Sequence, residues 1–387
     1  MSVPRPSGRR AAVLLGAAVL TALTAACGAA PDAPAGGAGA KADAKTVTSA
    51  AAFGGVKDLV AAAEKEGALN VIALPPDWAN YGEIIKAFEA KYPKIKIKSE
   101  NPDASSSDEI AAVKSRKGQD RAPDVLDLGI AFARSGAEEG LFAPYKVEAW
   151  DKIPAGQKDA DGRWYNDYGG YVSIGCDAKR IPVCPQTFAD LAKPEYKGKV
   201  ALNGNPTKSG SAFGGVYAAA LANKGSFGDI QPGIDFFGQL KKSGNFIPVE
   251  STPATVEKGE TPISIDWDYL NAGYADQFKD KGVDWKVAIP ADGVYAQYYS
   301  QTINKEAPHP AAARLWMEFL YSTEGQNLWL KGYARPVLLP AMTTDGTADK
   351  GFVAKLPKVD GTPAFPASAE LDKAKATLAE KWDKALS

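Results

Sequence analysis

A bent strand near the middle of the chain is the feature that most constrains the fold. Residues 164–191 read WYNDYGGYVSIGCDAKRIPVCPQTFADL, and the part from Tyr168 to Ile174 is aromatic and β-branched around a glycine pair. This composition is typical of a strand whose backbone bends or is closely approached. Pro182 and Pro185 end the strand, and a short helix is predicted to begin near Phe188. We interpret the stretch as a crossover between two lobes; a strand and loop within one large domain is the alternative.

Strand and helix patterns alternate on both sides of this crossover. Short apolar runs predict strands, and apolar residues at helical spacing predict helices. Such alternation is typical of an α/β fold with largely parallel sheets covered by helices, and with a ligand crevice at the carboxyl ends of the strands. The predicted strands are 69–73, 95–98, 125–128, 199–202, 262–266, 285–289 and 295–303, and the predicted helices after the crossover are 211–222, 234–242, 310–321 and about 371–382.

The amino-terminal segment has the pattern of an export signal. Three arginines precede an apolar run over 11–26 that is too short to cross a bilayer as a mature helix. Cys27 follows Leu-Thr-Ala-Ala, which resembles the lipobox of bacterial lipoproteins, with Thr24 where an aliphatic residue is more usual. The resemblance implies a lipoprotein signal peptide over 1–26 and lipid on the Cys27 sulfur, which anchors the mature chain to the outer face of a membrane. A signal peptide followed by an incidental cysteine is the alternative.

The composition of the chain changes after the signal. Residues 27–52 are rich in Ala, Gly, Pro and Asp, so we predict a flexible tether there. The remainder is long enough for a sizeable core in two domains. The chain carries 45 Lys and Arg against 46 Asp and Glu, and it lacks the basic stripe that is typical of a nucleic-acid-binding protein.

Only two cysteines remain after Cys27, namely Cys176 and Cys184. Two thiols outside the cytosol usually pair, so we predict a disulfide across the short loop that leaves the crossover. Metal binding is the alternative, although two thiolates with no nearby histidine make a poor zinc ligand set.

Several segments, taken in their order along the chain, resemble the extracellular solute-binding proteins of ABC importers. Besides the lipoprotein-type signal, these are YGEIIKAFEAKYPKIKI at 81–97, PQTFADLAKPEYKGKVAL at 185–202 and HPAAARLWMEFLYSTEGQ at 309–326. The similar branch includes binders of iron(III), polyamines, thiamine and phosphonates. The resemblance implies a two-lobed type II periplasmic-binding-protein fold, with two mixed or parallel sheets joined by paired hinge strands that close on a small polar solute.

The resemblance also implies a partner and a domain plan. The partner is an ABC permease in the membrane, and the chain is expected to act as a monomer outside the cytoplasm, without catalysis, cofactor, resident metal or nucleic acid. We expect a first lobe made of 53–170 and 297–333, and a second lobe made of 171–296 and 334–387.

Three stretches lie where the cleft of such a protein is expected. The first is PPDWANY at 75–81. Trp78 and Tyr81 match the Trp-x-x-Tyr spacing with which polyamine binders hold an aliphatic amine against aromatic faces. The alternative is that both rings only cap the core.

The second stretch is NGNPTKSGSAFGG at 203–215, a Gly- and Ser-rich loop that opens a helix. Free backbone N–H groups and two serine hydroxyls at such a helix start predict an anion site, which resembles the corresponding turn of the iron and phosphonate branches. Polyamine binders tend to have acids here instead. A helix start that binds only water is the alternative. The residues of this predicted site are Ser209, Gly210, Ser211 and Ala212.

The third stretch is SIDWDYLN at 264–271. Asp266 and Asp268 are candidates to bind an amine, with Trp267 or Tyr269 as an apolar wall, and either acid is also a candidate helix cap. Tyr298, in a tyrosine-rich strand, is a further candidate ligand contact. Because His309 is the one histidine and precedes a helix, we interpret it as a cap or surface residue, so iron is expected only as a tyrosine- and carboxylate-bound or chelated species.

Together these stretches predict a binding protein for a small anionic or zwitterionic solute, such as a phosphonate-like compound. Its anion would lie on the helix that begins at Ser209, and its amine near Trp78, Tyr81 and Asp268. A polyamine or an iron(III) chelate is the alternative within the same transporter class. A secreted hydrolase with Asp266 and Asp268 as paired carboxylates is the alternative from another class, although nothing supplies an opposed acid and base.

Overall fold

The computed structural model describes residues 43–359 and 365–387. The predicted signal peptide and the predicted lipidation site at Cys27 lie outside these residues, as does the first part of the predicted tether. None of the helices in the described residues is both long and apolar enough to cross a membrane.

The last part of the predicted tether belongs to the compact fold. Val47 and Ala50 are buried, and the guanidinium of Arg314 donates hydrogen bonds to the carbonyl oxygens of Lys45 and Val47, at 2.9 Å each. Residues 45–52 are therefore packed against the first lobe rather than free.

The first lobe begins with alternating helices and strands, as the sequence pattern predicts. Its second helix ends at Gly67, whose φ of 70° is the left-handed conformation that glycine adopts without strain. The chain then enters the long crossover strand. The elements are α1 (Ala50–Phe53), α2 (Val56–Glu66), β1 (Ala68–Ile72), α3 (Tyr81–Lys91), β2 (Lys96–Glu100), α4 (Ser106–Ser115), β3 (Val125–Gly129), α5 (Ile130–Glu138), β4 (Phe142–Ala143) and β5 (Tyr165–Asp177).

The second lobe comes after β5 and is built in the same way. Its elements are β6 (Val200–Leu202), α6 (Gly210–Ala222), α7 (Gln231–Ser243), α8 (Pro253–Lys258), β7 (Ile263–Trp267), α9 (Asp268–Phe278) and β8 (Trp285–Ala288). The predicted disulfide is confirmed, because Cys176 at the end of β5 is bonded to Cys184 in the next loop.

The chain then returns to the first lobe. The remaining elements are β9 (Ala296–Asn304), α10 (Pro310–Leu320), α11 (Thr323–Lys331), β10 (Arg335–Pro336), α12 (Leu339–Asp345), α13 (Lys350–Val353) and α14 (Ser368–Leu386). In the first lobe β1 and β2 are parallel, while β3 is antiparallel to β9. In the second lobe β6 and β7 are parallel, and both β7 and β8 are antiparallel to β5.

Strands β5 and β9 form the predicted pair of hinge strands. All 13 residues of β5 are buried, and its amino-terminal half pairs with β9 while its carboxyl-terminal half pairs with β7 and β8. The register between β5 and β9 shifts between Asn166 and Gly169. A Cβ on Gly169 or Gly170 would overlap the Gln297 carbonyl or the Asp268 carboxylate respectively, so the glycine pair permits the close approach that the sequence predicts.

The carboxyl-terminal segments contact both lobes. Strand β10 pairs with β5, and Lys152 forms an ion pair with Asp345 at 3.1 Å. Residues 335–345 therefore contact the first lobe and the hinge strand. The expected lobe plan assigns these residues to the second lobe. Helix α14 packs on α7, where the ring centroids of Trp382 and Phe237 lie 5.6 Å apart. The exact lobe boundaries stay a prediction.

His309 occupies the N-cap position of α10, but its side chain does not bond to the helix. The Nδ1 atom lies 2.8 Å from Oδ2 of Asp124, and the His309 backbone N–H donates to Oδ1 of the same residue at 2.7 Å. This hydrogen bond raises the pKa of His309 above its ordinary value of 6.5. The side chain is therefore a half-buried link between α10 and the residue that precedes β3.

Replacing His309 by Asn tests this link. The pKa of His309 is higher in the folded than in the unfolded state, so the pair stabilises fully below about pH 6.5 and its contribution is lost as the pH rises through the folded-state pKa. We expect His309→Asn to lower the free energy of unfolding by about 1 kcal/mol more at about pH 5 than at about pH 9. Urea unfolding of both proteins measures the difference, and an equal loss at the two pH values would contradict the assignment.

Candidate functional site

A cleft between the two lobes is the candidate site. It encloses about 820 Å³, part of it open to solvent. The lobes touch at one side of the cleft, where Gly129 of the first lobe lies against Gly210 of the second. A Cβ added to Gly129 would lie only 3.2 Å from Cα of Gly210. The lining from the first lobe includes Asp77, Trp78, Asp103, Ser106, Glu109, Asp127 and Tyr299, and that from the second includes Asn203, Ser209, Gly210, Glu250, Thr252 and Tyr274.

The lining is acidic. Five carboxylates contribute to it, and no Lys, Arg or His is among the described residues that line it. Four of these acids come from the first lobe and one from the second, so closure of the lobes gathers negative charge. The five are Asp77, Asp103, Glu109, Asp127 and Glu250.

Two of these acids, Glu109 and Asp127, are almost completely buried, and we call them the floor pair. Asp127 is 5% exposed, and its Oδ2 accepts a hydrogen bond from the Tyr168 hydroxyl at 2.6 Å, whereas its Oδ1 has no partner among the described residues. Glu109 accepts from the Asp127 backbone N–H at 3.1 Å. Desolvation raises the pKa of Asp127 to about 7 and, together with the Asp127 charge, raises the pKa of Glu109 well above its usual range.

The other three acids are exposed at the mouth of the cleft, and we call them the rim acids. Partial burial raises the pKa of both Asp77 and Glu250, and the negative charge of Asp103 raises both further. Because Glu250 belongs to the second lobe and Asp103 to the first, these carboxylates repel one another across the cleft. A cation between them would relieve the repulsion.

Aromatic rings form the apolar part of the lining. Trp78 packs edge-to-face on Tyr299, with ring centroids 5.6 Å apart, and on Tyr269 at 6.2 Å. Its indole Nε1 donates a hydrogen bond to the Tyr168 hydroxyl at 2.7 Å. The Trp78 side chain is therefore held at the cleft as the sequence predicts, although whether it contacts a ligand stays a prediction.

Tyr81, the other ring of the predicted Trp-x-x-Tyr pair, is fully buried and does not line the cleft. Its hydroxyl accepts a hydrogen bond from Gln301 Nε2 at 2.9 Å, and its ring packs against Trp329. Tyr298 also lies outside the lining, with its ring 5.9 Å from that of Phe365. Its neighbour Tyr299 lines the cleft instead, because successive side chains on a strand point to opposite faces.

The predicted anion site at the start of α6 is only partly open to the cleft. Ser209 and Gly210 line it, but Ser211 and Ala212 are buried. The Ser209 hydroxyl accepts from the Ala212 N–H at 3.3 Å and donates to the Asn203 carbonyl at 2.8 Å, so it is an N-cap whose hydrogen bonds are already made. The sequence interpretation of this turn as a helix start is confirmed.

Asp266, Trp267 and Asp268 are buried behind the cleft wall and do not line it. Asp266 accepts hydrogen bonds from Ser211 and from Asn203 Nδ2, the latter at 2.7 Å, and burial raises its pKa to about 6. Asp268 forms an ion pair with Arg335 and accepts from the Tyr171 N–H. Neither acid is the N-cap of α9, since that position belongs to Trp267. Both carboxylates of the hydrolase hypothesis are thus engaged by structural partners.

Sequence reasoning missed most of the lining acids. Asp127 had a detectable signal, since it is the one charged residue in the apolar run VLDLG. Asp103 and Glu250 have no detectable signal in the sequence, because both lie in loops. Their distance from the other acids depends on the tertiary fold. The described residues hold no group of three or more His, Cys, Asp or Glu side chains placed to bind a metal ion.

Comparison with known proteins gives the context of this cleft. The family model for bacterial extracellular solute-binding proteins matches residues 120–358. A probable ABC transporter periplasmic-binding protein of Sinorhizobium fredii is 25% identical over 164 residues, which cover 41% of this chain and 44% of that protein.

Two solved structures share the fold. The periplasmic binding protein AfuA from Actinobacillus pleuropneumoniae, with exogenous fructose-6-phosphate bound, gives a TM-score of 0.63 at 20% identity, over 82% of this chain and 98% of that chain. The ferric binding protein from Campylobacter jejuni gives 0.61 at 18% identity, over 82% and 99%. These similarities confirm the two-lobed α/β architecture.

Replacing Asp127 by Asn tests the strain at the cleft floor. The pKa of Asp127 rises from 3.8 to about 7 on folding, so its contribution to stability falls as the pH rises between these values. Asn keeps an acceptor for Tyr168 and does not ionise. We expect Asp127→Asn to be about 1–3 kcal/mol more stable than the wild type at about pH 8, with no advantage at about pH 4, by urea unfolding. A variant that is less stable at the higher pH would contradict this account.

Proposed function

Because the chain belongs to the family of bacterial extracellular solute-binding proteins, which serve ABC importers, we propose that its cleft captures a small cationic solute for delivery to a membrane permease. The observation that carries this proposal is Oδ1 of Asp127, a buried carboxylate oxygen on the cleft floor that has no partner among the described residues. A buried charge without a partner is costly, so it persists where something outside the fold compensates it. An ammonium group of a bound solute would donate the missing hydrogen bond.

The balance of charges favours a cation over an anion. Two unit charges 4 Å apart interact by about 4 kcal/mol at the effective dielectric constant of a protein surface. A helix N-terminus stabilises a bound anion by only about 0.3–1 kcal/mol. The starts of α4, α6 and α8 all line the cleft. The lining acids, of which the rim alone holds three, therefore outweigh these helix dipoles. The sequence alone favours a phosphonate-like anion over a polyamine. The charge of the lining reverses this order and favours a polyamine-like amine.

The aromatic lining supports an aliphatic amine in particular. Trp78, Tyr274 and Tyr299 offer apolar surface and ring faces beside the acids. Cation–π contact contributes about 0.5–2 kcal/mol, and alkyl carbons gain from burial against the same rings. The exposed rim acids lie beside these rings, and the buried floor pair lies beneath them, so a solute with more than one amino group suits the lining.

A zwitterion is the second candidate, and Gly210 is the observation that favours it. Gly210 opens α6 and lines the cleft beside Ser209, so a small carboxylate at that wall would face the positive end of the helix. The amine of the same molecule would then lie toward the acids. Titration with an amino acid that carries one amine and one carboxylate distinguishes this candidate from a diamine.

We also propose that the protein works as a lipid-anchored monomer at the outer face of the membrane. The lipobox-like sequence before Cys27 supports the anchor, and residues 1–26 support the export signal. In cells that express the full chain with an alkyne fatty acid, we expect the protein to be labelled and to sediment with membranes. Cys27→Ser should abolish both, and labelling that survives this substitution would contradict the anchor.

Calorimetry tests the proposed solute class. We expect putrescine or spermidine to bind the protein at pH about 8, and a phosphonate of similar size to bind at least about 100-fold more weakly. Asp127→Asn should weaken amine binding by about 10- to 100-fold, because it removes the floor charge while keeping the shape. Asp280→Asn is the matched control, since Asp280 is exposed and outside the cleft.

The opposite pattern would overturn the proposal. If a phosphonate binds tightly and neither amine binds, the start of α6 and not the floor carboxylate selects the solute. If Asp127→Asn binds amines as tightly as Asp280→Asn does, the unpartnered oxygen has no part in recognition.

A further inference from the structure

The side chain of Tyr168, on the hinge strand, joins the charged and the aromatic parts of the cleft. Given the proposed binding of a cation, we propose that Tyr168 is the positioning residue for that cation. Its one hydroxyl both orients the Asp127 carboxylate and holds the Trp78 ring. Tyr168 is fully buried and is absent from the cleft lining, so it acts through these two residues.

The direction of both hydrogen bonds is set by donor chemistry. Indole Nε1 can only donate, so in the 2.7 Å contact with Trp78 the Tyr168 oxygen must accept. The single phenolic proton is then directed to Oδ2 of Asp127, 2.6 Å away. This commits Oδ2 and leaves Oδ1 as the carboxylate oxygen without a partner among the described residues.

The Tyr168 ring is fixed independently of these hydrogen bonds. It stacks on Trp329 with ring centroids 4.2 Å apart and lies parallel to Tyr299 at 5.7 Å, with an interplanar angle of 3°. Residue 168 also lies inside the register shift between β5 and β9, and irregularities of this kind re-aim side chains. The hydroxyl is therefore presented to Asp127 by a clamped ring on the strand that both lobes share.

A hydrogen bond to the ionised carboxylate favours that form, so Tyr168, and after it Tyr81, oppose the effect of burial and lower the pKa of Asp127. Loss of the hydroxyl should raise that pKa and weaken cation binding most at lower pH. The titratable groups that face Asp127 come from several elements, and carboxyls and phenols are both among them. They are Glu109 of α4, Asp167 and Tyr168 of β5, Tyr81 of α3, Tyr269 of α9, Tyr299 of β9 and Tyr321.

The test is Tyr168→Phe, which keeps the stacked ring and removes the hydroxyl. Putrescine binding is measured by calorimetry from about pH 5.5 to about pH 8.5. We expect binding to weaken about tenfold or more at neutral pH, and the midpoint of its pH dependence to move up by about one unit. The matched control is Tyr145→Phe, because Tyr145 also donates to a carboxyl, that of the half-buried Glu318, at 2.7 Å, but lies outside the cleft lining. Its midpoint should not move.

A second measurement separates this inference from the identity of the solute. In the ligand-free protein, carbon NMR of labelled aspartate follows the Asp127 carboxyl directly, and Tyr168→Phe should raise its pKa whether or not putrescine binds. If neither wild type nor variant binds amines but this pKa rises, the proposed function fails and the positioning role stands. An unchanged pKa would overturn the positioning role.

Should Tyr168→Phe fail to fold, 3-fluorotyrosine at position 168 replaces it. The fluorinated phenol is a stronger donor of nearly the same size, so the Asp127 pKa should fall and the pH midpoint of binding should move down. A midpoint that stays in place or moves up would contradict the inference.

Discussion

The antiparallel pairing of β5 with β9 is the interaction on which the rest of the structure depends. Strand β5 belongs to both sheets, since its amino-terminal half pairs with β9 and β10 and its carboxyl-terminal half pairs with β7 and β8. The cleft walls keep a defined relation because these two buried strands carry the connection. Tyr168 from one strand and Tyr299 from the other lie parallel beneath the cleft, so the hinge also supplies part of the site.

The charge at the cleft floor opposes the stability of the fold. Glu109 and Asp127 are buried side by side; burial makes both harder to ionise, and the Asp127 charge makes ionisation of Glu109 harder still. A protein selected for stability alone would gain from a neutral residue at this position. Retained carboxyls in a cleft, with one oxygen lacking a partner, are the pattern expected where a ligand completes the site. The same residues then link solute binding to closure, because the cation interacts with acids of both lobes.

Much of the fold is predictable from sequence because its determinants are local. The amphipathic pattern of α10, the apolar run of β7 and the glycine pair of β5 each place an element to within a few residues. The disulfide is predictable from cysteine count and compartment. The end of the tether is not predictable in this way, because residues 45–52 are polar or small apart from Val47 and are held by Arg314, which is distant in sequence.

The site is less predictable because its chemistry is assembled from distant loops. Tyr298 and Tyr299 are adjacent residues of the same type, and only strand register decides which one lines the cleft. Local reasoning detects the helix start at Ser209 but not the Asp103 and Glu250 charges that outweigh it. Asp266 and Asp268 have the right residue type for a ligand contact, yet their partners Ser211 and Arg335 make them structural.

Native mass spectrometry of the protein purified from its own host tests the central claim most directly, since a trapped solute reports its own mass. A bound small molecule with one or more amino groups and no phosphorus is the predicted result. A phosphorylated or phosphonate anion, or a ferric chelate, held in the wild-type cleft would contradict the account.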